Sequence, residues 1–224
     1  MDPVIAKSLS TRFQISIDYV VREYYEMVLL KELFSGPFGA SLVFKGGTAL
    51  RLAYKSPRFS EDLDFDLLTH VEIDSFAKFI DRARKRYSDM VGLDAADKRD
   101  TTFIVLKIAS PILSRAFSIK IEASKRNVSL KRENDYTQRV MVSETNPISV
   151  LANVSTLDRI LFEKTDALKN RRAARDVFDY WYINQLLNKE VKPDYAGFDQ
   201  QVARSELRRL LPKPYWQLVD SWLE

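Results

Sequence analysis

The chain has 224 residues, 46% hydrophobic and 29% charged, with a formal net charge of +4, which is long enough for one large or two small domains with a sizeable core. It contains no cysteine and one histidine, which excludes disulfides, thiol catalysis, cysteine zinc sites and histidine-rich metal sites. A serine–histidine–aspartate triad would have to be built around His70, which falls in an expected loop and reads as a surface residue.

Pro3 to about Leu33 reads as helical, because Phe13, Ile17, Val20, Tyr24 and Val28 recur at helical spacing before Ser35-Gly36-Pro37 breaks the pattern. Leu42 to Phe44 reads as a first strand, Gly46-Gly47 as a turn, Thr48 to Tyr54 as a short helix and Asp62 to Leu67 as a second strand. Asp74 is placed to cap a helix through about Met90, with Phe76, Phe79 and Ile80 on its apolar face. Gly92 to Asp100 is turn-prone. Strands follow at Thr102 to Ala109 and Phe117 to Ala123, with a further β segment near Val140. Helices dominate from Ser155 onward: Ser155 to Asn170, with Ser155 or Thr156 as cap, then about Ala173 to Leu187, Asp199 to Leu211 and Tyr215 to Leu223. The expected fold is α/β (α+β), a mixed sheet with flanking helices. Residues 1–150 are expected to form an α/β lobe and residues 151–224 a mostly helical lobe, with the boundary near Pro147 to Asn153.

The most informative stretch is Lys45-Gly46-Gly47-Thr48-Ala49-Leu50, followed by Arg58-Phe59-Ser60-Glu61-Asp62-Leu63-Asp64-Phe65-Asp66. Alternate side chains of a strand share a face, so Asp62, Asp64 and Asp66 point one way and Leu63, Phe65 and Leu67 the other. Three carboxylates on one face repel one another unless a cation sits among them, and hard divalent ions with oxygen ligands, Mg²⁺ or Mn²⁺, suit that role. A glycine backbone can approach phosphate closely, and the helix after it offers a positive dipole end. The alternative for each element alone is a solvated strand face and an ordinary turn. Neither a P-loop nor a Gly-x-Gly-x-x-Gly dinucleotide motif is present.

Three further charges fall on strand or helix faces. Lys164 lies on the apolar stripe of Leu157, Ile160, Leu161 and Leu168, either snorkelling outward or reaching a phosphate. Asp176 shares a helix face with Tyr180, Ile183 and Leu187, either paired with Arg172 or contributing to a shared site with Lys164. In Phe117 to Ala123 the apolar residues alternate with Ser118, Lys120 and Glu122, so Glu122 is either part of a wet polar face or a third carboxylate.

Gly-Gly-Thr-Ala-Leu at residues 46–50 and Arg-Phe-Ser-Glu-Asp-Leu-Asp-Phe at residues 58–65 resemble motifs of the AbiEii/AbiGii toxin family, a branch of the DNA polymerase β-like nucleotidyltransferases. Phe162-Glu163-Lys164-Thr165-Asp166-Ala167-Leu168 and the run from Arg171 to Tyr180 resemble the family's later motifs, in order. The resemblance spans about Leu42 to Tyr182. It implies a nucleotidyltransferase-like fold and metal-dependent transfer of a nucleoside monophosphate from a nucleoside triphosphate (NTP) to an acceptor hydroxyl. Asp62 and Asp64 would hold the metal. Lys45, Gly46, Gly47, Thr48, Arg58 and Lys164 would bind the nucleotide, Asp176 would orient its neighbours, and Glu122 would take the acceptor proton. An RNA acceptor, the 3′ end of transfer RNA, is implied by analogy, as is a cognate antitoxin.

Basic clusters at Arg82 to Arg86, Lys125-Arg126, Lys131-Arg132 and Arg171-Arg172 either follow a nucleic-acid backbone or are solvated charges. No apolar run is long enough to span a bilayer, and the N-terminus shows no leader pattern, so a cytoplasmic enzyme is expected. A nucleotidyltransferase of the aminoglycoside-modifying kind and a non-catalytic nucleotide-binding module are the alternatives.

Overall fold

The computed structural model describes residues 1–126, 129–171 and 173–223. Two helices, α1 (Pro3–Phe13) and α2 (Ile17–Ser35), occupy the segment expected to be one. The break comes from Gln14, left-handed at φ 54°, and from Ser16, whose hydroxyl caps α2 by accepting from the Asp18 N–H. Strand β1 (Leu42–Lys45) runs into α3 (Gly46–Tyr54), and β2 (Asp62–Leu67) follows with the expected bounds.

Helix α4 (Ile73–Arg84) ends before Met90, which instead opens β3 (Met90–Asp97), a strand in the segment expected to turn. An edge position explains the miss. β3 pairs only with β4 (Thr101–Ile108), so it has one neighbour to satisfy and carries Gly92, Asp94 and Asp97, poor strand formers. Strands β5 (Phe117–Ser124), β6 (Tyr136–Ser143) and β7 (Asn146–Ser155) follow. The boundary expected at 150/151 falls inside β7, which pairs in parallel with β1 and antiparallel with β6.

The sheet order is β3-β4-β5-β2-β1-β7-β6. β2 is therefore flanked by β1, antiparallel, and β5, parallel, at the centre of a mixed sheet. Leu63 and Phe65 of β2 are fully buried, and the Phe44 and Phe65 ring centroids lie 5.2 Å apart. Burial of each such side chain contributes about 1.5–3 kcal/mol, which fixes which face of β2 enters the core and leaves the aspartates to the other. The C-terminal helices are α5 (Leu157–Asn170), α6 (Ala174–Leu186), α7 (Gln200–Leu210) and α8 (Trp216–Trp222). Val177, Phe178, Leu207, Leu211 and Val219 give them an apolar cluster of their own. Leu210 joins Leu9, Val20 and Phe59 in another, so α7 clamps the segment that leads into β2. The Phe59 N–H donates to the Leu210 carbonyl at 2.9 Å. No helix among the described residues is long and apolar enough to cross a membrane.

Candidate active site

A cleft of about 730 Å³ opens over the polar face of β2, walled by the end of β1, by β5 and by α5. Strand register builds its floor. Asp64 is paired with Lys45 of β1 on one side and with Glu122 of β5 on the other, and Asp62 is paired with Lys120. Glu122 is thus the strand partner of Asp64, while its carboxylate is paired with the Lys120 ammonium at 2.7 Å, both side chains partly exposed. Burial raises the Asp64 carboxyl to about 6, with the Asp62 and Glu122 charges adding to the rise. Burial also raises Asp62.

The Asp62 and Glu122 carboxylates both push the Asp64 carboxyl up, and a divalent cation beside Asp64 would relieve that local repulsion. Among the described residues no three acidic or histidine side chains converge to hold a metal by themselves. That donor set fits Mg²⁺, which binds through one or two carboxylates and keeps water and phosphate as its other ligands.

The two glycines expected as a turn open α3 instead, and Gly46 touches this floor. Gly46 has φ +77°, a conformation side chains disfavour, and a Cβ there would stand 2.3 Å from Asp64 Oδ2. Gly47 is needed for a different reason, since a Cβ would meet the Arg58 guanidinium at 2.3 Å and Ser60 Oγ at 2.8 Å. Both glycines and Lys45 line the cleft. Lys45 Nζ lies 2.7 Å from Asp66 and 3.2 Å from Glu163. Burial would lower the Lys45 ammonium, but Glu163 and Asp66 outweigh it and hold it above the usual lysine range.

Two residues expected to seat the nucleotide are engaged elsewhere. Thr48 is fully buried, and its hydroxyl donates to the Asp62 carbonyl, fastening α3 to β2. Arg58 is 2% exposed and places Nε and Nη2 each 2.7 Å from one oxygen of Asp179, with Nη1 donating to the Phe59 carbonyl. Its guanidinium braces the fold.

Lys164 reaches the cleft wall, and its ammonium is 2.7 Å from Asp176 and 2.6 Å from Asp179. Arg171 holds the other side of Asp176, with Nε 2.9 Å from Oδ2; Arg172, the partner considered from spacing, lies outside the described residues. Burial alone would raise Asp179, yet Arg58 and Lys164 pull it down to about 2. Asp176 is lowered as well, with Lys164 and Arg171 overcoming its burial. Sequence reasoning missed Asp179, although its spacing of three from Asp176 puts both carboxylates on one face of α6. His70 is exposed beside Glu72, away from the cleft.

Residues 28–218 match the family described as nucleotidyl transferase AbiEii toxin of type IV toxin–antitoxin systems. The chain belongs to the AbiEii family. It is accordingly a nucleotidyltransferase of a toxin family, and the AbiEii match includes both the glycine turn and the α5–α6 charge network. Similar solved structures agree on the fold. JHP933 from Helicobacter pylori is 22% identical with TM-score 0.57, over 86% of this chain and 74% of that one. MenT4, a nucleotidyltransferase toxin from Mycobacterium tuberculosis H37Rv, is 17% identical with TM-score 0.60, over 91% of this chain and 68% of that one. Comparison with curated proteins gives no match.

Proposed function

We propose that this toxin transfers a nucleoside monophosphate from an NTP to a hydroxyl of an RNA acceptor, the 3′ end of transfer RNA, in the cytoplasm and under the control of a cognate antitoxin. The observation that carries the reading is the contact between Gly46 and Asp64, with Glu122 in register beside it. A backbone turn suited to phosphate thereby meets carboxylates suited to a cation, within one cleft.

Asp62 and Asp64 are the residues to hold Mg²⁺, or Mn²⁺ in its place. Such an ion supplies charge neutralisation at the phosphates and a lowered pKa for a bound hydroxyl. The backbone at Gly46 and Gly47 seats the triphosphate. Glu122, held by Lys120, accepts the proton of the attacking hydroxyl as its oxygen bonds to the α-phosphorus and the bond to the departing pyrophosphate breaks. Lys164 offers charge to the phosphates, and Asp176 and Asp179 fix its position. Arg126, Arg159, Arg171 and Arg175 also line the cleft and supply positive charge along the path a nucleic-acid backbone would take.

The test is incubation of the purified protein with Mg²⁺, each of the four α-labelled NTPs and total transfer RNA, with Asp64→Ala alongside. Label in RNA from the wild type alone supports the reading and names the base. Label in a small acceptor and not in RNA would move the substrate to the aminoglycoside-modifying class, and nucleotide binding without turnover on any acceptor would make the protein a binding module.

A further inference from the structure

Phe162 is 66% exposed, and it is the only exposed aromatic among the described residues. Single exposed hydrophobic side chains are ordinary on a protein surface, but this one lies on the wall of the catalytic cleft. The Arg159 guanidinium stands 5.5 Å from its ring centroid, within cation–π range. Arg159 is also paired with Glu163 at 3.2 Å, and Glu163 with Lys45 at 3.2 Å. A chain of charges thus links the ring to the residue that precedes the Gly46 turn.

Sheet order decides which ligand the ring faces. β5, with Glu122 for the acceptor hydroxyl, and β1, with the glycine turn for the phosphates, flank β2 on opposite sides. Glu163, the next residue of α5, pairs with Lys45 of β1, so Phe162 belongs to the β1 side. We propose that Phe162, backed by Arg159, is the stacking platform for the base of the incoming nucleotide. The proposal rests on the reading of this cleft as the NTP site. Every base has a π-face, so stacking holds all four nucleotides and leaves base choice to other contacts.

Calorimetric titration of the wild type, Phe162→Ala and Phe162→Trp with each NTP and with inorganic tripolyphosphate, in Mg²⁺ and without acceptor, tests it. Phe162→Ala is expected to weaken every NTP by about tenfold or more while leaving tripolyphosphate affinity unchanged, and Phe162→Trp to restore NTP binding. Tripolyphosphate also reports that the variant is folded. Equal NTP affinity in wild type and Phe162→Ala would overturn the platform alone, as would a loss of RNA transfer at unchanged NTP affinity, which would give the ring to the acceptor. A parallel loss of tripolyphosphate binding would overturn it too. A wild type that binds no NTP would overturn both this proposal and the reading of the cleft.

Discussion

Arg58 and Asp179 stand 121 residues apart in sequence and meet in a two-pronged, buried ion pair, with both guanidinium–carboxylate distances 2.7 Å. The pair joins the segment that enters β2 to the helix that carries Asp176, and Lys164 sits between the two aspartates. The cleft is held in shape by this buried network.

Removing one partner of that network leaves an uncompensated buried charge. Arg58→Met and Asp179→Asn are each expected to destabilise the protein by about 3–5 kcal/mol, measured by urea unfolding. Arg58→Lys should not restore stability, because an ammonium cannot make both prongs. A loss below 1 kcal/mol for either variant would show that the pair does not organise the site.

The same network sets a response to acid. Asp179 is held near 2 and Asp176 is lowered, both below the unfolded aspartate value of about 4. Their contribution is fully present above the unfolded value and is lost as the pH falls from about 4 toward 2. Unfolding free energy should therefore drop most steeply between about pH 4 and 2, with a shallower slope in Asp179→Asn.

Glu26 of α2 works in the opposite sense. It is 2% exposed, and its Oε1 is buried without a hydrogen-bond partner. Burial holds its carboxyl well above the usual range, with Arg22 opposing and Glu23 and Asp62 adding. A raised carboxyl favours the folded state while protonated, and that advantage is lost as the pH rises above the unfolded value. Glu26→Gln should match the wild type near pH 4 and exceed it by about 1 kcal/mol or more at pH 8. A melting-temperature difference that stays constant with pH would contradict this.

Gly46→Ala tests the contact between turn and carboxylate. The left-handed backbone alone costs about 1–2 kcal/mol for a residue with a side chain, and the added Cβ would press on Asp64 Oδ2. Activity is expected to fall much further than stability, because the clash lands on Asp64, the proposed metal ligand. A variant with normal transfer would detach Gly46 from the site.

Asp64→Ala should abolish transfer without unfolding the protein. Its carboxyl is already raised to about 6 by burial and by like charges, so folding loses little by its removal. Thermal melting beside the transfer assay separates the two effects, and retained activity would sink the assignment.

The sequence by itself determined the central strand and the glycine break before it. Period-two alternation from Asp62 to Leu67 divides core face from polar face, and the break from strand to helix at Gly46 follows from backbone freedom, so both were legible as local properties. The family motifs extended this to α5 and α6. At the edge strand from Met90 to Asp97 local propensity pointed elsewhere and pairing with β4 overrode it, whereas the break at Gln14 is a local cap that the helical spacing concealed. β7 was not read as a strand from the sequence, because its place beside β1 is a long-range fact. Only the tertiary structure could show that Arg58 spends its guanidinium on Asp179, that Thr48 bonds to the Asp62 carbonyl, and that Glu122 is the neighbour of Asp64. The physical reason is that a side chain's charge and donors are visible in sequence, whereas the partner that satisfies them is chosen by packing between segments far apart in the chain.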